Sequence, residues 1–126
     1  MGQKSVQFFT KKEEEFVNLL VQIGMNKNIA KVLVFLANTT EATSRSIERG
    51  TDMRQPEVSM AMKYLMDQGW IKVRDKPKAN KGRPEKGYSL AKPITEILNK
   101  FEEEKVAKIN QHLAIIKKLQ NDLFRP

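Results

Sequence analysis

The sequence predicts a mainly α-helical protein with one small β-hairpin, and three observations carry this prediction. Apolar spacing and capping residues typical of helices occur at residues 10–24, 28–37, 43–49, 56–68 and 93–124. Two short segments that alternate apolar and polar residues, at 70–74 and 87–90, flank a stretch rich in Lys, Arg, Pro and Gly. The length of 126 residues fits one domain with an appendage.

The composition argues against several classes of function. The chain has no Cys and a single His, His112, which excludes disulfides, thiolate metal sites, Cys nucleophiles and multi-His metal sites. No nucleophile with an adjacent base, Gly-rich phosphate loop or carboxylate dyad stands out, so we predict no enzymatic activity, no cofactor and no metal. No apolar run reaches about 18 residues, the length that spans a bilayer, and the N-terminus lacks a signal-peptide pattern. We therefore expect a cytoplasmic protein with no membrane partner.

Two helices are predicted before residue 40. The first covers residues 10–24, where Thr10 can cap the N-terminus and Gly24 can end the helix. One apolar stripe follows its helical spacing and consists of Phe16, Leu19, Leu20 and Ile23. The second helix covers residues 28–37, with Asn28 as its expected cap, and is apolar almost all round. This pattern indicates a central helix that is packed on several sides.

The next stretch predicts two helices joined by a short turn. Thr43 can cap a short helix through Arg49, and Gly50 can adopt the left-handed conformation that ends it. Pro56 suits the first turn of the following helix because no N–H is needed there, and this helix runs to about Gln68. Two helices joined by the four-residue turn GTDM have the spacing of a helix-turn-helix.

The second of these helices divides into a buried and an outward face. The expected buried residues are Val58, Ala61, Met62 and Leu65, with Ile47 and Met53 closing the core between the two helices. Side chains near the start of a recognition helix reach base edges in the major groove, where Gln bonds adenine, Ser bonds several bases, Glu accepts from cytosine and an apolar tip touches the thymine methyl. The predicted DNA-binding residues of this helix are Arg54, Gln55, Pro56, Glu57, Ser59, Met60 and Lys63.

A β-hairpin with a long basic loop follows the helix-turn-helix and forms a wing. Residues 72–92 hold eight basic and two acidic residues, and so carry six of the eight net positive charges of the chain. Clustered Lys and Arg bind phosphates by displacing condensed counterions. Arg83, held between Gly82 and Pro84, is the best candidate for insertion into a narrow minor groove. The predicted DNA-binding residues of the wing are Lys72, Arg74, Lys76, Lys78, Lys81, Arg83 and Lys86.

One long helix that begins with Pro93 is predicted to end the chain. From its middle, residues recur at spacings of three, four, three, four and three, which is typical of a helix that pairs with another helix. They are Val106, Ile109, Leu113, Ile116, Gln120 and Leu123, with Leu119 beside this seam. We expect the same helix of a second copy as the partner, so residues 10–92 form the predicted DNA-binding domain and residues 93–124 the dimerisation helix. The predicted dimer-interface residues are Val106, Ile109, Leu113, Ile116, Leu119 and Leu123.

The segment MRQPEVSMAMKYLMDQGWIKV resembles the recognition helix and first wing strand of the winged-helix transcriptional regulators of the MarR, ArsR and TrmB-like superfamily. The positions that match their pattern are Met53, Gln55, Pro56, Val58, Ser59, Met62, Leu65, Gly69 and Ile71. The stretch GRPEKGY, residues 82–88, is similar to the Gly-Arg-Pro wing tip of such proteins, and the resemblance covers about residues 15–92. It implies a dimeric winged helix-turn-helix regulator in which Gln55, Ser59, Met60 and Lys63 face bases.

The chain also departs from that superfamily at identifiable points. Arg54 occupies a position where Ser or Thr is usual, which leaves the helix cap in doubt. The Cys and His clusters of ArsR-like metal sensors are absent, and 34 residues after position 92 cannot form the effector domain of TrmB-like sugar sensors.

The leading hypothesis is a sequence-specific regulator that binds double-stranded DNA as a homodimer, at an inverted repeat with half-sites about one helical turn apart. Two alternatives stay open: a winged helix that docks onto another protein of the transcription machinery, and a basic RNA-binding domain. The lack of an aromatic stacking platform on the strands argues against RNA. A helix-turn-helix shape also occurs as a plain corner between helices, and a basic run also occurs as a solvated loop.

Overall fold

The computed structural model describes residues 10–76 and 85–123. The described elements are α1 (Lys11–Gln22), α2 (Lys27–Ala37), α3 (Ser44–Thr51), α4 (Gln55–Asp67), β1 (Ile71–Lys76), β2 (Glu85–Leu90) and α5 (Ile94–Lys118), followed by a π-helical turn (Leu119–Leu123). The chain divides into two compact units, of which the first ends at Lys92 and the second begins at Pro93. Because α2, α3, α4 and the β1–β2 hairpin form a winged helix-turn-helix, the predicted fold class is confirmed.

Helix α1 begins where the sequence predicts but buries a different residue. Thr10 and Glu13 form a capping box, in which the Glu13 N–H donates to Thr10 Oγ1 at 3.2 Å and the Thr10 N–H donates to Glu13 Oε1 at 2.8 Å. Val17 is the buried residue of the helix. The predicted stripe is largely outside the core, since Phe16, Leu19 and Ile23 are each about half exposed.

Helix α2 is the centre of the first unit, as its all-round apolar sequence predicts. Its buried residues are Ala30, Val32, Leu33, Val34, Phe35 and Leu36. Asn28 is not its cap. The cap is Asn26, whose Oδ1 accepts from the N–H groups of Asn28 and Ile29, because the helix begins one residue earlier than predicted.

Helix α3 ends differently from the prediction. Gly50 lies inside the helix and is buried, and the left-handed residue is Asp52, with φ of 56°. A Cβ added to Gly50 would lie 2.8 Å from Cζ of Phe35, so this glycine allows α3 to approach α2 closely. The turn before α4 is therefore the three residues Asp52, Met53 and Arg54.

Helix α4 follows the predicted division into faces. Val58, Ala61, Met62 and Leu65 are its buried residues, and Ile47 and Met53 are buried beside them. Pro56 lies in the first turn, and Gly69 after the helix has a φ of 77°. The buried Trp70 follows, and its ring meets that of Tyr64 edge to face at a centroid distance of 6.2 Å. The predicted buried stripe is therefore confirmed.

Strands β1 and β2 form an antiparallel hairpin in which Ile71 pairs with Leu90 and Val73 with Tyr88. Ala42, in the loop before α3, forms an isolated antiparallel β-bridge with Tyr88. Its N–H donates to the Tyr88 carbonyl at 2.9 Å, and the Tyr88 N–H donates to the Ala42 carbonyl at 2.7 Å. The base of the hairpin is thus tied to the helix-turn-helix.

Helix α5 forms the second unit together with the π-helical turn. The predicted long C-terminal helix is confirmed over the described residues, and its last five residues, Leu119–Leu123, are π-helical. A π-helical turn advances the chain with i to i+5 hydrogen bonds and so changes the spacing of side chains along the helix face. The angular spacing of Leu119 and Leu123 around the helix therefore differs from that of the seam residues before them.

Candidate nucleic-acid interface

The start of α4 is stabilised by Glu57 and not by the side chain of Arg54. Glu57 Oε1 accepts a hydrogen bond from the Arg54 N–H at 2.9 Å, and the Arg54 side chain makes no capping bond. A carboxylate in the first turn also interacts favourably with the positive end of the helix dipole. The departure from Ser or Thr at position 54 is therefore compensated within the same turn. It leaves the exposed Arg54 guanidinium beside the outward face and holds the Glu57 carboxylate at the backbone.

Gln55 and Ser59 form a hydrogen-bonded pair on the outward face of α4. Gln55 Nε2 donates to Ser59 Oγ at 2.8 Å, and both residues are exposed one helical turn apart. The bond fixes the plane of the Gln55 amide but uses only one of its two N–H groups. The other N–H and the carbonyl Oε1 remain to bond a base edge, and a Gln needs these two groups to bond adenine.

Met60 and Lys63 complete the outward face. The Met60 side chain is 75% exposed, the highest value among the large apolar residues that the structure describes. Lys63 Nζ lies 3.4 Å from Asp67 Oδ2 in an ion pair that is largely open to solvent on both sides. Such pairs contribute little to stability and release their cation readily. Arg54, Pro56 and Glu57 are exposed as well, so every predicted residue of the recognition helix is on the surface.

The hairpin register separates the cations that the sequence grouped together. Side chains alternate along a strand, so Lys72 and Arg74 lie on one face of the hairpin and Lys86 on the other. Lys86 is paired with Asp75 across the strands, which places an acid next to it. Lys72 pairs with Ser89 and forms no ion pair within the described residues. Among the exposed strand cations, Lys72 and Arg74 therefore face no acid across the strands, since Arg74 is paired with Gly87.

Arg74 is held by an acid that sequence reasoning missed. Its Nε donates to Glu41 Oε2 at 2.7 Å and its second terminal nitrogen donates to Oε1 at 3.2 Å, a two-pronged contact across 33 positions of sequence. The Glu41 side chain is only 22% exposed. It passes over Gly87, where an added Cβ would lie 2.5 Å from Glu41 Cδ. The predicted phosphate contact of Arg74 must therefore compete with this ion pair.

The remaining predicted wing cations are in the part of the chain that the structure leaves undescribed. Lys78, Lys81 and Arg83 fall between residues 77 and 84, and of Lys76 only the backbone pairing with Glu85 is described. Their proposed roles rest on the sequence alone.

The predicted dimer seam on α5 is exposed in the single chain. Its residues Val106, Ile109, Leu113, Ile116, Leu119 and Leu123 have exposed fractions from 40% to 67%. The neighbouring Ile115 is 55% exposed. Apolar side chains at helical spacing without cover indicate a surface that contacts something else.

The described residues contain neither a membrane-spanning helix nor a cluster of metal ligands. None of the helices in 10–76 and 85–123 combines the length and apolar character needed to cross a membrane. No group of three or more His, Asp or Glu side chains in those ranges lies together as metal ligands would.

Comparison with solved structures concerns the fold. A possible transcriptional regulator from Methanosarcina mazei Go1 has a TM-score of 0.57 and 14% sequence identity, over 80% of this chain and 86% of that one. A MarR family regulator from Neisseria meningitidis gives 0.49 and 21% over 88% and 87% of the two chains. The MepR–DNA complex from Staphylococcus aureus gives 0.48 and 17% over 90% of each chain. No protein-family profile and no curated protein sequence matches the chain.

At 14% identity, the likeness to the Methanosarcina structure concerns the fold alone. The winged-helix architecture predicted from the resemblance to MarR-like proteins is confirmed by the elements of the chain itself. The ArsR-like and TrmB-like parts of that resemblance stay predictions.

Proposed function

We propose that the protein is a transcriptional regulator that binds double-stranded DNA in a sequence-specific manner as a homodimer. Helix α4 enters the major groove, and the β1–β2 hairpin lies on the phosphates and the adjacent minor groove. The names of the similar structures, which include a regulator in complex with DNA, are consistent with this function.

The observation that carries the proposal is the hydrogen bond between Gln55 and Ser59 on the outward face of α4. Both side chains are exposed, and the bond that they form with each other is the one hydrogen bond of the two side chains within the described residues. In the major groove the same pair presents one donor and one acceptor from Gln55 and a hydroxyl from Ser59. Its fixed geometry lowers the side-chain entropy that is lost when a base is bound.

Charge is distributed unequally between the helix-turn-helix and the hairpin. Residues 41–71, which contain the helix-turn-helix, hold four basic and five acidic residues, whereas residues 72–92 hold eight and two. Phosphate attraction therefore comes mainly from the hairpin, and base recognition from α4. Within the described hairpin, Lys72 is the clearest phosphate ligand because no acid is paired with it.

The exposed seam of α5 supports the homodimer. A regulator of this kind places two recognition helices in successive major grooves about 34 Å apart, so its operator is an inverted repeat. The uncovered apolar residues from Val106 to Ile116 recur at spacings of three and four, which suits a helix pair.

Selection of bound fragments from random duplex DNA tests the base contacts. We expect a palindromic consensus for the natural protein. Gln55→Ala changes the preferred base at one position of each half-site, because a bidentate contact contributes about 1–3 kcal/mol of discrimination. Gln68→Ala is the matched control, since Gln68 is exposed at the opposite end of the same helix. An unchanged consensus for Gln55→Ala would disprove the assigned role, and the absence of any enriched sequence would disprove specific binding.

The salt dependence of affinity tests the hairpin. If each wing makes about three phosphate contacts, the logarithm of the affinity falls with the logarithm of salt at a slope of about −5 for the dimer. Lys72→Ala removes one contact per subunit and flattens that slope by about 2 units. Lys100→Ala removes an exposed Lys from α5 and leaves the slope unchanged. Equal slopes for the two variants would contradict the proposed wing contact.

Sedimentation velocity tests the dimer. We expect a dimer at micromolar concentration and a monomer for Leu113→Glu, since a carboxylate in an apolar helix seam is costly to desolvate. Gln111→Glu adds the same charge two residues away, about 200° around the helix from position 113, and is expected to remain a dimer. A monomeric natural protein would remove the dimer from the proposal.

A further inference from the structure

The oxidisable sulfur of this chain lies in Met, because it contains six Met and no Cys. Five of them are described, and their exposure differs sharply. Met25, Met53 and Met62 are 5% to 7% exposed, Met66 is 42% exposed and Met60 is 75% exposed. A thioether must be reached by solvent before it can be oxidised. Among the described residues, a small oxidant therefore meets Met60 first.

Met60 also has a position where a change of polarity has consequences. It follows Ser59 on the outward face of α4, one turn after Pro56. It borders a mainly apolar groove of about 370 Å³ that Ile29, Pro56, Ala61 and Tyr64 also line. The Met60 thioether is thus an apolar group on a face whose side chains are mainly polar.

We propose that Met60 is an oxidation-sensitive site through which peroxide lowers the affinity of the protein for DNA. This inference rests on the proposed function. In the reaction the thioether sulfur takes one oxygen atom from hydrogen peroxide, the O–O bond breaks, and one water is released. The sulfur is oxidised by two electrons to the sulfoxide, and the peroxide is reduced by two. Methionine sulfoxide reductases reverse the change.

The sulfoxide weakens binding because it replaces an apolar tip by a strong acceptor. In the major groove of DNA, the unoxidised Met60 side chain contacts apolar atoms such as the thymine methyl. The sulfoxide loses this apolar contact, and its oxygen gives up its hydration without gaining a hydrogen-bond donor. Losing the burial of one methyl-sized group lowers an affinity about fourfold. Two half-sites give a loss of about fifteenfold for the dimer.

The test compares each protein with its own oxidised form. The natural protein, Met60→Leu and Met66→Leu are treated with hydrogen peroxide, and their dissociation constants for one selected duplex are measured by fluorescence anisotropy. Peptide mass spectrometry measures sulfoxide at every Met in the same samples. The natural protein and Met66→Leu are expected to lose about fifteenfold in affinity, and Met60→Leu less than twofold. Reduction of the oxidised natural protein by methionine sulfoxide reductases restores its affinity.

Bound DNA provides a second readout that does not depend on a variant. The duplex should slow oxidation of Met60 while leaving the rate at Met66 unchanged. If the untreated protein binds DNA but full conversion of Met60 to the sulfoxide leaves its dissociation constant unchanged, the inference fails and the proposed function stands. It also fails if Met60→Leu loses affinity as the natural protein does. If the untreated protein binds no duplex even at low salt, the proposed function itself fails.

Discussion

Replacing Gly50 by Ala perturbs the contact that sets the distance between α3 and α2. Gly50 is buried within α3, and a Cβ placed on it meets three atoms of the Phe35 ring at once. Two of them, Cζ and Cδ1, would lie at 2.8 and 2.9 Å, and Cε1 would lie closer still. The ring cannot turn away freely because Phe35 is itself 6% exposed.

The expected loss of stability is about 2 kcal/mol. Carbon atoms in van der Waals contact are about 3.5 to 4.0 Å apart, so the ring or the helix must move by about 1 Å. Overpacking of a core costs about 1–3 kcal/mol, and three simultaneous contacts place this site at about the upper value. Ala in a helix interior is favoured over Gly by about 1 kcal/mol, which offsets part of the cost.

Urea unfolding at one fixed protein concentration measures this loss, since oligomerisation makes stability depend on concentration. With a slope of about 1–2 kcal/mol per M, the midpoint of Gly50→Ala should fall by about 1–2 M. Phe35→Leu in the same chain makes room for the added methyl group. The double variant should therefore be more stable, by at least about 1 kcal/mol, than the sum of the two single losses predicts. Gly69→Ala is the control, because that glycine has a positive φ but no atom within 4 Å of an added Cβ. It is expected to be additive with Phe35→Leu.

Two outcomes would refute this reasoning about the α2–α3 contact. One is a Gly50→Ala variant as stable as the natural protein. The other is a loss of the expected size that Phe35→Leu does not relieve, which would place the cause outside the ring contact.

Further predictions concern the caps and the surface of the helices. Asn26→Ala removes the acceptor of two backbone N–H groups and is expected to cost about 1 kcal/mol in urea unfolding, whereas Asn28→Ala should cost less than about 0.5 kcal/mol. An equal loss for both would mean that Asn26 is not the cap. Lys63→Ala is expected to change stability by less than about 0.5 kcal/mol, because its ion pair is open to solvent, yet to weaken binding to the selected duplex in an anisotropy titration. Unchanged binding would remove Lys63 from the interface.

The elements that the sequence predicted well are those governed by short-range rules. The buried stripe of α4 follows from helical periodicity between Val58 and Leu65, and the hairpin from alternation on both sides of a basic loop. Pro56 and Gly69 mark the ends of α4 because their backbone preferences act within one residue.

The errors arose where two residues could serve one local role. Asn26 and Asn28 both suit a helix cap, and only the actual start of α2 decides between them. Gly50 and Asp52 both tolerate the left-handed conformation. Phe35, fifteen positions away in the sequence, packs so closely against α3 that position 50 needs a residue without a side chain. Gly50 therefore lies inside the helix and not at its end. These choices depend on packing between elements, which spacing along one element does not contain.

The contact of Glu41 with Arg74 carries no sequence signal at all. Neither residue has a distinctive neighbour pattern, and 33 positions separate them. Likewise the apolar spacing of α1 indicated one stripe, but the helix turns Val17 inward and leaves Phe16 half exposed. A single helix shows which residues share a face, but the orientation of that face depends on its neighbours.

The ion pair of Glu41 and Arg74 also has an evolutionary consequence. Three positions in three separate segments depend on one another: an acid at 41, a base at 74 and a residue without a side chain at 87. A side chain added at 87 would place its Cβ 2.5 Å from Glu41 Cδ, so the Glu41 carboxylate would have to leave its present path to Arg74. Related proteins are therefore expected to keep all three residues or to change them together. A lineage that has exchanged Gly87 should also have lost its acid at 41.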